Sequence, residues 1–241
     1  MTPTTNLYES PALRAVTGPA IRPGGLALTE RAQAFCRLAR GAEVLDVGCG
    51  SGATVNHLRQ CHGLRAVGLD LSWHLLAEGS GADGSPVTIQ GRAEALPIGE
   101  GRLAAIFSEC LLSLLADPAT ALAEWHRVLA PEGFLIVSDL YARSGRWVDG
   151  QTPPSVRCCL TGAVPREMLL DRLRAAGFTV LLWEDHTPLL KQLAARLVWA
   201  HGSLAAFWES VGAGCAVGQD SSGGKPGYYL MVARKGGADR G

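Results

Sequence analysis

The sequence predicts an α/β fold, with a parallel sheet covered by helices on both faces. Three observations carry that expectation. Short apolar segments of strand length alternate with segments of helical period from residue 43 to residue 138. The decapeptide EVLDVGCGSG, Glu43 to Gly52, reads as a buried strand that ends in an acid and then breaks into three alternating glycines. The next strand, in RAVGLDLS, closes with a second acid, Asp70, 20 residues beyond Gly50. That is the separation at which an acid grips a ribose diol in nucleotide-binding folds.

Residues 1–27 are rich in Pro, Gly and Thr and are expected to lie across a site as an irregular lid or strap, leading into a helix that Thr29 would cap. Strand 43–47 is apolar through Val44, Leu45 and Val47, and Gly48, Gly50 and Gly52 let backbone approach a ligand closely. Helix 52–60, strand 64–69, helix 72–78, strand 86–90, strand 103–107, helix 117–130 and strand 133–138 follow. After Asp139 the rhythm yields to SGRWVDGQTPPSVRCCLTG, a loop long enough to be functional. A helix at 165–176 stopped by Gly177, a strand at 178–184, a helical stretch at 188–210, the turn QDSSGGKPG and a last strand at 228–233 complete the pattern.

With 241 residues, 47% of them hydrophobic, the chain is sized for one core, and a single domain over 1–241 is expected. Its 22 basic and 22 acidic residues are scattered without a run, which argues against a nucleic-acid tract or a polybasic membrane anchor and for a small or neutral partner. The N-terminal residues lack a basic start followed by an apolar core, and no apolar stretch reaches the roughly 18 residues of a span, so a cytoplasmic location is expected. Seven cysteines in such a chain point to reduced thiols. Oligomeric state is left open.

The glycines alone are ambiguous, because Gly48, Gly50 and Ala53 also satisfy the fingerprint of a dinucleotide fold. With Asp46 inside the strand end, GRAEALPI at 91–98 and RVLAPEGFLIVSD before the last strands, the chain resembles the class I S-adenosylmethionine-dependent methyltransferases over nearly its whole length. The resemblance implies a Rossmann-like seven-stranded, mostly parallel sheet with helices on both faces and one antiparallel strand near the edge. It implies S-adenosyl-L-methionine as cofactor and methyl transfer to a small-molecule acceptor. By position, Asp46 and the backbone of Gly48, Cys49, Gly50 and Gly52 would hold the methionine end, and Asp70 the ribose. Leu71, Arg92, Ala93 and Glu94 would border the adenine, and Ser108 would line the methionine arm. Arg92 stands where the family often has an acid, which leaves Glu94 as a substitute.

On the acceptor side, SDLYARSG, RCCLTGAVPREMLL and GCAVGQ at 214–219 look like the corresponding blocks of arsenite methyltransferases. That likeness implies Cys159 and Cys215 as thiol ligands of a soft metalloid substrate, with no resident metal ion, and 140–164 and 186–227 as acceptor-side insertions. A further cysteine usual after the glycine loop is replaced here by Ala53, Thr54 and Val55. Tyr141, at the carboxyl edge of the sheet, and His201, in WAHGSLAAFW, are candidates to orient or deprotonate an acceptor. Cys158, Cys159 and Cys215 fit equally as small buried hydrophobes, Cys36, Cys61 and Cys110 are expected on apolar helix faces, and Trp199, Phe207 and Trp208 as core or pocket wall. Two alternatives stay open: methylation of oxygen, nitrogen or carbon in a quinone- or sterol-like metabolite, and a non-catalytic sensor binding cofactor or metal.

Overall fold

The computed structural model describes residues 5–80, 86–143, 156–212 and 225–236. Seven strands form one sheet: β1 (Glu43–Val47), β2 (Arg65–Asp70), β3 (Thr88–Gln90), β4 (Leu103–Glu109), β5 (Leu129–Ala142), β6 (Phe178–Asp185) and β7 (Pro226–Lys235). Their order is β3-β2-β1-β4-β5-β7-β6. Neighbours pair in parallel except at β7, which runs antiparallel to both β5 and β6. The expected sheet, with its one antiparallel strand beside the edge, is therefore present. Because the chain leaves β1 toward β3 and then returns to the other side at β4, the crevice of this sheet opens at the carboxyl ends of β1 and β4.

Among the described residues eight α-helices surround the sheet: α1 (Pro11–Thr17), α2 (Ala27–Cys36), α3 (Ala53–His62), α4 (Trp73–Gly79), α5 (Pro118–Val128), α6 (Arg166–Ala175), α7 (Thr187–His201) and α8 (Leu204–Ser210). Alternation along the strands sends their side chains to two cores. Leu45, Ile106, Leu135 and Val137 pack with Leu122 and Trp125 of α5 and Leu169 and Leu173 of α6. Val44, Ala66, Phe107 and Ile136 pack with Leu28 and Ala32 of α2 and Val55 and Leu58 of α3. A third cluster, Leu7, Leu13, Cys158, Leu197, Phe207 and Val211, joins the N-terminal segment to α7 and α8.

Several expectations change. The helical stretch at 188–210 is two helices, because Gly202 takes φ 85 and the Ser203 hydroxyl accepts the Ala206 N–H at 3.0 Å, capping α8. Thr29 caps nothing: α2 begins at Ala27 after Leu26, and Thr29 is buried in its first turn. The N-terminal segment is not wholly irregular, holding a single turn at Leu7–Glu9 and α1. Cys110 lies just past β4 with φ 55 rather than on a helix, Cys61 is exposed, and Trp199, 92% exposed, is no part of the core. The strand read as 103–107 continues to Glu109, with consequences for the site. Among the described residues no helix is long and apolar enough to cross a membrane.

Trp125 is fully buried and its Nε1–H donates to the Ala93 carbonyl at 3.0 Å, so one side chain joins core packing to the turn after β3. Trp125→Ala is expected to cost about 3–5 kcal/mol in urea unfolding, the range for removing a large buried aromatic. A loss under 1 kcal/mol would show that α5 is not anchored this way.

Candidate functional site

A cleft of ≈ 420 Å³ lies where the sheet predicts one, lined by Asp46, Gly48, Cys49 and Gly50 from β1 and its loop and by Asp70 and Leu71 from β2. Backbone fixes the loop: the Gly48 and Cys49 N–H groups donate to the Leu69 carbonyl at 2.7 and 3.1 Å, and the Gly50 N–H to Asp70 Oδ2 at 2.8 Å. The other Asp70 oxygen accepts the Ser72 N–H at 2.8 Å. Burial raises the Asp70 pKa, against the opposing pull of those N–H donors. Gly48 has φ 76, and a Cβ there would meet the Leu111 side chain at 3.0 Å. Gly52 does not line the cleft. Its φ is 82 and a Cβ would sit 2.5 Å from Pro86, so it serves packing beneath β3 rather than the ligand as expected.

The cleft floor holds two acids. Asp46 is 2% exposed and accepts no hydrogen bond among the described residues. Burial foremost, then the neighbouring Glu109 carboxylate, pushes its pKa well above the ordinary range, while Arg22 pulls the other way. Glu109, by contrast, is saturated: Arg22 Nη1 lies 2.7 Å from Oε2, the Thr54 hydroxyl donates to Oε2 at 2.7 Å, and the Thr29 hydroxyl donates to Oε1 at 2.8 Å. Arg22 itself also donates to the Gly25 carbonyl at 2.8 Å. Neither Glu109 nor Arg22 was anticipated. The signal for Glu109 was the alternation of β4, in which 107 and 109 share a face. Ser108 is one register off: it is fully buried, points away from the cleft with Ile106, and its hydroxyl has no partner among the described residues. Arg22 sits in a segment without periodicity and gave no signal.

Arg92, Ala93 and Glu94 also line the cleft. Arg92 is largely exposed and 3.6 Å from Glu94, Ala93 is held through its carbonyl by Trp125, and Leu71 stands exposed at the rim.

A second cavity of ≈ 390 Å³ adjoins the first and shares Tyr8, Ile21, Arg22 and Cys110 with it. Its walls are mainly apolar, with Leu13, Leu193, Leu197, Phe207 and Trp208 prominent. Cys158 and Cys159 both line it and both are buried. Cys159 Sγ donates to the Cys110 carbonyl at 3.0 Å and accepts from the Tyr8 hydroxyl at 2.7 Å, and burial keeps its pKa well above that of a free thiol. Cys215 lies outside the described residues. Tyr141 and His201 line neither cavity, against expectation. The Tyr141 hydroxyl donates to Asp185 at 3.0 Å while its ring packs edge-on against Trp183 and Tyr229, binding β5 to β6 across β7. The His201 ring packs on Phe207 at the end of α7.

Residues 45–137 match the family model of a methyltransferase domain. The malonyl-[acyl-carrier protein] O-methyltransferase of Erwinia billingiae (strain Eb661) is 30% identical over 160 residues, 66% of this chain and 59% of that protein. Residues 45–137 thus carry a methyltransferase domain. Among solved structures, the [4+2]-cyclase SpnF is similar at a TM-score of 0.75 and 26% identity, over 96% of this chain and 95% of that one. Phosphoethanolamine N-methyltransferase 2 of Haemonchus contortus, solved with S-adenosyl-L-methionine, shares the fold at a TM-score of 0.74 and 17% identity, over 94% of this chain and 56% of that one. The chain spans about half the length of the curated relatives it matches, 59%, 41% and 51% for three of them.

The Glu109–Arg22 pair yields a stability prediction. Glu109→Ala strands a buried guanidinium and is expected to cost about 3–5 kcal/mol in denaturant unfolding, whereas the double change Glu109→Leu with Arg22→Met recovers most of that loss. Equal destabilisation by the single and double variants would refute the pairing.

Proposed function

We propose that this chain transfers a methyl group from S-adenosyl-L-methionine to an apolar small molecule. The observation that carries the reading is the apolar cavity adjoining the cleft at Tyr8, Ile21, Arg22 and Cys110. The cleft suits the cofactor: Asp46 is a buried acid without a donor of its own among the described residues, placed to face an ammonium, and Asp70 stands where ribose hydroxyls would donate. Ala93 and Glu94 border the adenine end, with Leu71 at the rim. When bound, the cofactor supplies an electrophilic methyl on a sulfonium and departs as a neutral thioether. The chain's own work is alignment of the acceptor lone pair with that methyl and exclusion of water.

The character of the second cavity bears on the acceptor. A soft metalloid needs thiolates. Cys159 is held protonated by burial, and its thiol is already engaged by Tyr8 and Cys110. Burial likewise keeps the Tyr8 hydroxyl protonated. These features favour an organic acceptor over arsenite. A second reading is supported by the likeness to SpnF over almost both chains: the same apolar cavity would fold a substrate for a [4+2] ring closure, in which no group is transferred.

One assay separates the readings. The protein, given labelled S-adenosyl-L-methionine and a panel of apolar phenols, amines and acyl thioesters, is expected to release S-adenosylhomocysteine and a labelled organic product. Conversion of a polyene at unchanged mass, without S-adenosylhomocysteine, would favour ring closure, and label on arsenic would restore the metalloid. Ala194→Trp, which fills the cavity, is expected to raise the acceptor KM at least about tenfold while the cofactor Kd stays within about twofold.

Asp46 gives a pH test. Only its ionised form attracts an ammonium, and its pKa in the free protein is raised. Cofactor affinity, measured by calorimetry, should be flat above that raised pKa and fall as the pH is lowered through it. Asp46→Asn should weaken binding by about 10–100-fold, the worth of a charged hydrogen bond, and flatten the profile. An unchanged profile in Asp46→Asn would remove Asp46 from this role.

A further inference from the structure

Near the surface of the molecule, α2 and α3 bring three metal-ligating groups to one point. Glu30 of α2 and His57 and His62 of α3 offer ligand atoms that all lie within 4.8 Å of one another. His62 Nε2 is 2.7 Å from Glu30 Oε1, and His57 Nε2 contacts the same oxygen. The two imidazoles meet edge to face, 5.5 Å between centroids, so both Nε2 atoms converge without stacking.

We propose that Glu30, His57 and His62 bind a zinc-class divalent cation that clasps α2 to α3. Two imidazoles and a carboxylate suit zinc, nickel or copper, and three protein ligands leave a position for water. At bond lengths near 2.0 Å, donors around a tetrahedral zinc stand roughly 3.3 Å apart, a spacing inside the 4.8 Å limit within which the three ligand atoms lie. His57 and His62 lie on one helix and Glu30 on another, so no sequence spacing marks the three as a ligand set.

The clasp bears on the cleft through adjacent residues. Thr29, next to Glu30, turns inward to Glu109, and Thr54, one turn before His57, reaches the same carboxylate. A cation outside and Glu109 inside would thus fasten the same two helices at two depths. No transfer chemistry is required of this site.

The test uses the whole chain without added cofactor. Zinc chloride titrated in a calorimeter is expected to bind at one equivalent and to raise the Tm by roughly 5 °C at saturation. Cobalt(II) should give visible bands without thiolate charge transfer. His57→Ala and His62→Ala should each weaken binding at least about tenfold, Glu30→Gln likewise, and Cys61→Ser, beside the site and exposed, should not. Circular dichroism confirms that each variant folds. Absence of saturable binding, thiolate bands with cobalt, or an unchanged Tm rise in the His57→Ala/His62→Ala double variant would each overturn the proposal.

Discussion

Two carboxylates and one guanidinium share the floor of the cleft, and the rest of the site follows from how they divide. Asp46 and Glu109 end neighbouring parallel strands on the same face of the sheet, both removed from water. Two unneutralised carboxylates so placed would repel in a medium of low dielectric. Arg22 and two threonine hydroxyls satisfy Glu109 completely. Asp46 is left with burial and repulsion both raising its pKa, a condition that an arriving cation relieves. The site is therefore poised for a ligand with positive charge at the end of β1.

The same pair decides the place of the N-terminal segment. Arg22 cannot neutralise Glu109 unless residues before α2 cross the carboxyl edge of the sheet, and in doing so they bring Tyr8 and Ile21 to the boundary of both cavities. Lesser contacts extend the strap over β2 and α4: the Ser72 hydroxyl donates to Glu9 at 2.8 Å, and Arg14 pairs with Glu78. These are part-exposed and contribute little each. The buried pair supplies the register, and the surface pairs follow it.

Much of this fold was legible because its signals are local. Val44, Leu45 and Val47 before three glycines read as a buried strand and a tight loop, and the alternation of strands with helices pointed to a parallel sheet. Asp46, Gly48, Cys49, Gly50, Asp70, Leu71, Arg92, Ala93 and Glu94, all named from the sequence, line one cleft. What failed depended on contacts distant in sequence. The resemblance points to Ser108, but it is Glu109, one residue on, that faces the cleft, and a step of one residue along a strand changes the face. Tyr141 has its polar tip at a strand end, a position shared by ligand-binding and structural tyrosines alike; only its bond to Asp185 distinguishes them. Arg22 pairs with a residue on the opposite side of the sheet's switch point, and no periodicity marks such a residue.

The acceptor cavity was the least legible for a physical reason that also bears on its ligand. Its leucines and aromatics, on α7, α8 and the strap, have the spacing of ordinary core residues, and a pocket lined this way differs from a core only in not being filled. Of the polar groups that reach it, Glu209 is exposed, and the buried ones are kept neutral or already paired: Tyr8 and Cys159 by burial and by their mutual hydrogen bond, Arg22 by Glu109. A charged acceptor entering there would lose its hydration without gaining an unpaired counter-charge from these groups. An uncharged molecule would lose little and gain apolar contact. On the function proposed above, the cleft would select by charge and the adjoining cavity by its absence. That division would let a cationic methyl donor and an apolar acceptor meet at one boundary without competing for each other's place.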